Sequence, residues 1–272
     1  MSAPRPGPAR PSKVAEPRSI ETASPGRLAV QGRVLAFFED TGGAADLLEW
    51  SAALARTLRL EFGVVYVEST LALAAASLPA TRVLEPARQT WLEFAPHDVE
   101  RGWRAQAERL RLMVGSVAQR YSLGWSLRTV RGAWPQTAFE MFHDAGLMFL
   151  GRHSLAAAWP IPPRREPAAQ QASGRAPRRT THRPVVVVVA GETPAGVTCE
   201  AVAAELAHAM GAIVHRTTLE QALAPDARAP HADVLVLPRE LASHATLAHV
   251  RCPVLLVAYE VAPVRDMPRG AK

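Results

Sequence analysis

Cysteine, lysine and long apolar runs are scarce in this 272-residue chain, and each scarcity excludes a class of protein. Cys199 and Cys252 are too few to build a disulfide-stapled fold, and they are typical of a reducing compartment. No stretch approaches the roughly 18 consecutive apolar residues of a membrane helix, and the N-terminus lacks the apolar core of a secretory signal. The sequence therefore predicts a cytoplasmic protein with no membrane partner.

Motifs of known chemistry are also missing. The sequence contains no Walker loop, G-x-G-x-x-G fingerprint, G-x-S-x-G elbow or H-E-x-x-H pair. Its 9 histidines show no ligand spacing on a helix, and the two cysteines form no C-x-x-C pair. No nucleophile has a base and an orienting group at a suitable spacing. These absences predict a protein that is not an enzyme and has no metal site.

Basic charge is concentrated in two proline-rich segments. The formal net charge is +6, but residues 1–33 carry +4 and residues 160–183 carry +5, which leaves −3 for the rest of the chain. Because the charge does not lie on a folded face, we interpret these segments as a solvated tail and a solvated linker. The alternative is that their arginines bind nucleic acid through counterion release, and we favour it less.

Apolar periodicity predicts strands and helices that alternate along the rest of the chain. Val34–Phe38 reads as a buried strand ending in a Glu-Asp-Thr-Gly-Gly cluster, an apolar stripe over residues 47–58 reads as a helix, and Phe62–Val67 reads as a second strand. Further strands are expected at 125–130, 147–150, 185–189, 213–217, 233–237 and 253–257, with helices at 71–78, 98–121, 135–145 and 202–210. The pattern restarts after residue 183, which indicates a degenerate duplication and predicts α/β architecture with doubly wound parallel sheets.

The order of these segments resembles the universal stress protein family. In the first half the resemblance is carried by VLAFFEDTGG, AALARTL, GVVYVES and DAGLMFLGRHS, and in the second by VVVVVAG, EAVAAELAHAMGAIV, ADVLVLPREL and CPVLLV. It covers about residues 33–155 and 184–259. The resemblance implies two Rossmann-like domains, related to the adenine nucleotide alpha-hydrolase fold, of which the second is abridged.

The predicted organisation follows from this resemblance and from the two proline-rich segments. It comprises a tail (1–32), a first domain (33–159), a linker (160–183), a shortened second domain (184–260) and a second tail (261–272). One alternative stays open: Val185–Val189 could complete the first sheet instead of starting the second. The alanine-rich helix after this strand favours the second role.

Family members that bind ATP hold adenine with an aspartate after the first strand and with a residue at the end of the second. Asp40 and Val67 match these positions, and Gly151 matches the first glycine of the phosphate loop. Ser154 stands in place of the loop's second glycine, while Arg152 would supply charge if nucleotide bound. From the residues alone, Asp40 equally fits an ordinary turn or helix cap, and Gly151 an ordinary turn glycine.

The remainder of the family's phosphate loop is not preserved. Arg164 and Arg165 occupy the expected Gly-Ser position, and Pro238 replaces the first glycine in the second half. Backbone N–H groups approach phosphate only where no Cβ intervenes, so these changes predict no tight ATP binding and no cofactor. The sequence therefore favours a stress-response regulator that acts by protein–protein association, as a pseudo-dimer of its halves or a homodimer. The alternative is an ATP-binding regulator, or weak ATPase, that uses the first domain.

Overall fold

The computed structural model of the chain describes residues 32–79, 81–85, 90–134, 136–151, 183–224, 232–250 and 252–258. The strands are β1 (Arg33–Phe38), β2 (Glu61–Ser69), β3 (Arg82–Glu85), β4 (Thr90–Glu93), β5 (Trp125–Gly132), β6 (Leu147–Leu150), β7 (Val185–Val189), β8 (Ile213–Thr217), β9 (Val234–Pro238) and β10 (Val254–Val257). The helices are α1 (Ala44–Leu58), α2 (Thr70–Ala76), α3 (Pro96–Tyr121), α4 (Gln136–Met141), α5 (Pro194–Met210), α6 (Leu219–Leu223) and α7 (His244–His249). The predicted tails and linker lie outside these ranges, apart from Gly32 and Arg183.

An eight-stranded sheet in the order β5-β2-β1-β6-β10-β9-β7-β8 forms the centre of the protein. In the first half, β1 pairs in parallel with both β2 and β6, and β2 pairs in parallel with β5. The chain thus moves outwards from β1 to β5 and then returns to the opposite side of β1. The predicted α/β class is confirmed, and the sheet is mostly parallel and consistent with a Rossmann-like fold.

The second half repeats part of this arrangement. Here β7 pairs in parallel with β8 on one side and with β9 on the other, and β9 continues in parallel to β10. The trio β8-β7-β9 therefore has the same order as β2-β1-β6. Val185–Val189 pairs with strands of the second half, so the alternative in which it completes the first sheet is wrong.

The two halves meet at an antiparallel pair formed by β6 and β10, which we call the seam. Phe149 lies opposite Leu255, and Leu150 lies opposite Val254. The sequence predicted parallel pairing only, because β10 reads locally like any other buried strand and its partner is set by long-range packing. All eight strands thus belong to one sheet, while the proposed division into two domains stays a prediction.

Helices cover both faces of the sheet. One face packs against α1, α2, α3 and α5, and its core includes Leu48, Trp103 and Leu206. The other face packs against the shorter helices α4, α6 and α7 and is centred on Phe37 and Met148. Alternate residues of β1 and β6 therefore face opposite cores, which explains why these central strands are apolar at almost every position.

A separate two-stranded hairpin of β3 and β4 lies between α2 and α3. The sequence predicted no strands here, because Pro79, Pro86 and Pro96 interrupt the apolar periodicity. The hairpin is antiparallel, with Arg82 opposite Glu93.

Within the described ranges, none of the helices has the length and apolar character needed to cross a membrane.

Candidate functional site

A small cleft opens where β1 and β6 end side by side. The strand that follows β1 in the chain, β2, lies on one side of this point, and the next described strand after β6, β7, lies on the other; open α/β sheets place their ligands at such a point. The cleft has a volume of about 70 Å³. Its described lining residues come from the end of β1, the start of α1, the end of β6 and the start of β10: Phe38, Glu39, Asp40, Gly42, Gly43, Ala44, Asp46, Leu47, Trp50, Gly151 and Pro253.

Asp40 lies in the cleft, and its carboxylate already organises the turn into α1. Its Oδ1 accepts a hydrogen bond from the backbone N–H of Gly42 at 2.6 Å. This side-chain-to-backbone bond two residues along the chain is an Asx-type turn. Gly43 follows in the left-handed region, with φ of 75°, and caps α1. The geometry of Asp40 therefore matches the interpretation as a turn residue and gives this carboxylate a structural role.

Gly151 also lines the cleft, and packing accounts for its lack of a side chain. Its N–H donates a hydrogen bond to the carbonyl oxygen of Phe37 at 3.0 Å. A Cβ at this position would lie 3.2 Å from the same oxygen, closer than most real Cβ contacts. The N–H that would approach a phosphate is thus committed to β1, and the turn-glycine interpretation accounts for the residue.

Of the three remaining predicted residues, Val67 is the one within the described ranges. Val67 is fully buried in β2, where it packs in the core on the α4 face, and it is not among the described residues that line the cleft. Arg152 and Ser154 lie outside the described residues. The structure therefore brings Asp40 and Gly151 together, and nucleotide contacts by the five predicted residues stay a prediction.

The charge of the described cleft wall is negative. Glu39, which is buried, and Asp40 and Asp46, which are partly or fully exposed, line it beside the N-terminus of α1. Carboxylates at a helix N-terminus interact favourably with the helix dipole. Tyr66, buried in the neighbouring strand β2, responds to the same charges. Its pKa is raised first by burial and then by Glu68, Asp40 and Glu39.

The corresponding turn in the second half begins at Ala190 and leads into α5. Thr193 caps this helix by accepting a hydrogen bond from the N–H of Gly196 at 3.2 Å. Gly196 lies directly against the backbone of Gly191, so a Cβ there would lie 2.5 Å from the carbonyl oxygen of Gly191. These glycines permit close packing of the turn on the helix. Pro238 is the last residue of β9, one residue beyond the predicted end of this strand.

Sequence reasoning missed three residues of the cleft: Glu39, Asp46 and Pro253. Glu39 stands beside Asp40, and Asp46 lies directly before the predicted helix at 47–58, so their proximity to Asp40 was a usable signal. Pro253 gave no such signal. It reaches the cleft of the first half only because β10 is antiparallel to β6, which places the start of β10 beside the end of β6.

Metal or thiol chemistry receives no support from the described part of the chain. It holds no group of three or more His, Cys, Asp or Glu side chains able to bind a metal ion. Cys199 is buried in α5, and burial raises the pKa of its thiol to about 12, with Glu240 and Glu200 adding to the shift. A thiol with such a pKa is protonated at neutral pH and is a poor nucleophile.

Removal of the Asp40 carboxylate tests its role in the turn. We expect Asp40→Ala to lower the free energy of unfolding by about 1 kcal/mol, because the N–H of Gly42 loses its acceptor. Asp40→Asn keeps an oxygen acceptor, and its loss should stay within about 0.5 kcal/mol. Urea unfolding measures both variants. Equal losses for the two variants would show that charge, not the turn, is what matters.

Comparison with models of known protein families and with curated proteins found no match to this chain.

Proposed function

We propose that the protein is a non-enzymatic regulator of the universal-stress type that acts by protein–protein association and does not bind ATP tightly. The size of the cleft at the ends of β1 and β6 is the observation that carries this proposal. Its volume is about 70 Å³. Pockets that enclose drug-sized ligands measure roughly 300–1,000 Å³. A nucleoside triphosphate exceeds the described cleft several-fold.

The charge of the cleft supports the same proposal. Its described wall contains Glu39, Asp40 and Asp46 and no basic side chain. Like charges about 4 Å apart repel by roughly 4 kcal/mol at the effective dielectric of a protein surface. The protein's own carboxylates lie beside the N-terminus of α1, and they would repel a triphosphate placed there.

Both edges of β10, the last strand of the sheet in chain order, pair with strands of the same chain. β10 pairs with β6 on one side and with β9 on the other. Within the described ranges, the sheet ends at β5 and β8, and both strands present arginine side chains, Arg128 and Arg216. Charged residues on edge strands disfavour further strand pairing. In this proposal the halves pair with each other in one sheet, and a partner protein binds elsewhere on the surface.

An ATP-binding regulator remains the second candidate, favoured by one observation. The cleft lies at the ends of the parallel neighbours β1 and β6, where the order of strands in the sheet reverses, and this is the usual ligand position in this architecture. In that case Asp40 and Gly151 would contact the nucleotide.

Thermal unfolding with and without millimolar Mg·ATP separates the two candidates. We expect no change in the melting temperature of the full chain. ATP present at 100 times its Kd would instead add about 2.7 kcal/mol of stability, a rise of roughly 5–10 °C for a protein of this size. Mg·GTP serves as the matched control for nucleotide and metal. A rise with Mg·ATP alone would replace the proposed function by the second candidate.

A further inference from the structure

Three large apolar side chains are exposed on α2, on the turn that follows it and on β4. Leu71, Leu78 and Trp91 are 61%, 63% and 65% exposed, among the highest values of the large apolar side chains. Leu71 lies on α2, and Leu78 lies in the turn that directly follows the helix. We call this region, together with the groove beside it, the hairpin surface. Exposed apolar patches of this kind mark interaction sites.

A groove of about 330 Å³ lies at the base of the hairpin. Its lining residues come from the end of α2, both strands of the hairpin and the start of α3: Ala76, Leu78, Thr81, Arg82, Glu93, Phe94, Ala95 and Pro96. Trp91 lies two residues before Glu93 on β4, so both side chains project from the same face of the hairpin. The exposed indole and the groove therefore belong to one surface.

The sizes of the indole and of the groove are compatible. A cavity of about 150 Å³ accepts a benzene ring, and the groove has about twice that volume. Trp91 is not among the residues that line the groove of its own chain. Each copy of the chain therefore carries both a protruding ring and a groove, and a two-fold interface would pair the ring of one copy with the groove of the other.

Charge on the hairpin surface is self-complementary as well. Arg82 lies directly opposite Glu93 in the β3–β4 register, and both side chains are exposed at the wall of the groove. A two-fold axis beside this pair brings Arg82 of one copy against Glu93 of the other, and the reverse contact forms at the same time. Such pairing of opposite charges favours the correct partner and its register.

We infer that the hairpin surface is a homodimer interface in which Trp91 of each copy inserts into the groove of the other. The inference rests on the proposed function, protein association, and names a second copy of this chain as the partner. Arg82 and Glu93 flank the inserted indole and set the orientation of the two copies. Aromatic residues seated in pockets dominate the binding energy of interfaces of this kind.

Sedimentation of the full chain over a range of concentrations tests the interface. We expect a reversible dimer, and we expect Trp91→Ala to raise its dissociation constant at least about tenfold. Leu112→Ala on α3 is the matched control, because Leu112 is 67% exposed and lies outside the hairpin surface. A chain that stays monomeric at all concentrations overturns the inference, and so does a dimer that Trp91→Ala leaves intact.

Charge reversal distinguishes contacts between copies from contacts within one copy. Arg82→Glu alone and Glu93→Arg alone place like charges across the interface, so each variant should dimerise at least about tenfold more weakly than the native chain. An equimolar mixture of the two variants should recover the dimer, because opposite charges then meet across it. Failure of the mixture to recover assigns the effect to the hairpin itself and overturns the inference. A different protein bound at Trp91 of a monomeric chain overturns it too, while leaving the proposed function intact.

Discussion

Replacement of Phe149 by alanine is expected to lower the free energy of unfolding by about 3–5 kcal/mol. Phe149 is fully buried in β6, where it lies between Ala36 of β1 and Leu255 of β10. Its ring therefore fills the core at the seam, and truncation leaves a cavity that neither half can close alone. Urea denaturation measures the loss. Leu112→Ala is the control, with an expected change within about 0.5 kcal/mol, because that side chain is largely exposed.

The same denaturation experiment reports whether the halves unfold together. All 6 tryptophans precede residue 160, so their fluorescence follows the first half, whereas far-ultraviolet circular dichroism follows both halves. Because the seam joins the halves in one sheet, we expect the two transitions to coincide, with and without Phe149→Ala. A separate second phase seen only by circular dichroism would contradict this expectation.

Replacement of Gly196 by alanine is expected to lower the free energy of unfolding by about 1–3 kcal/mol. Two effects of opposite sign compete at this position. Alanine favours a helix over glycine by about 1 kcal/mol. The added Cβ, however, would lie 2.5 Å from the carbonyl oxygen of Gly191 and 2.9 Å from its backbone carbon and nitrogen. A backbone cannot move aside as a flexible side chain can, so the clash outweighs the gain in helix propensity.

Gly191→Ala is the matched control for this substitution. The nearest atom to a Cβ at Gly191 is the Oγ1 of Thr193 at 3.8 Å, an ordinary contact. We expect this variant to change stability by no more than about 0.5 kcal/mol. Thermal unfolding compares the two variants. A Gly196→Ala protein more stable than the native chain would mean that the turn before α5 is looser than the structure indicates.

Sequence patterns predicted the strands and the ends of the long helices well where a segment buries one continuous apolar run or stripe, but α5 begins at Pro194, eight residues before the predicted start at 202. Val34–Phe38 and Val185–Val189 fall within one residue of β1 and β7, and the apolar stripe up to Tyr121 ends where α3 ends. The hairpin was missed because its strands have only 4 residues each and lie among prolines. An alternating apolar pattern cannot be recognised over so few residues. The short helices α6 and α7 were missed for the same reason.

The candidate site was predicted only in part. Asp40 and Gly151 were identified because they match positions implied by the resemblance to the universal stress protein family, whereas from the residues alone both read as turn residues. Their hydrogen bonds, to Gly42 and Phe37, depend on how close neighbouring segments approach, which no local pattern encodes. The acidic character of the cleft arises because Glu39 and Asp46 turn towards the same opening as Asp40.

The sequence alone was enough to predict an α/β protein with buried, parallel strands and with a pattern that repeats after residue 183. These properties follow from local periodicity and from turn residues. Only the tertiary structure decided that β10 closes against β6, that Pro253 thereby borders the cleft of the first half, and that the cleft is small. Packing among residues far apart in the chain sets the partner of each strand, its direction and its spacing from its neighbours. Local periodicity in the sequence does not report that packing.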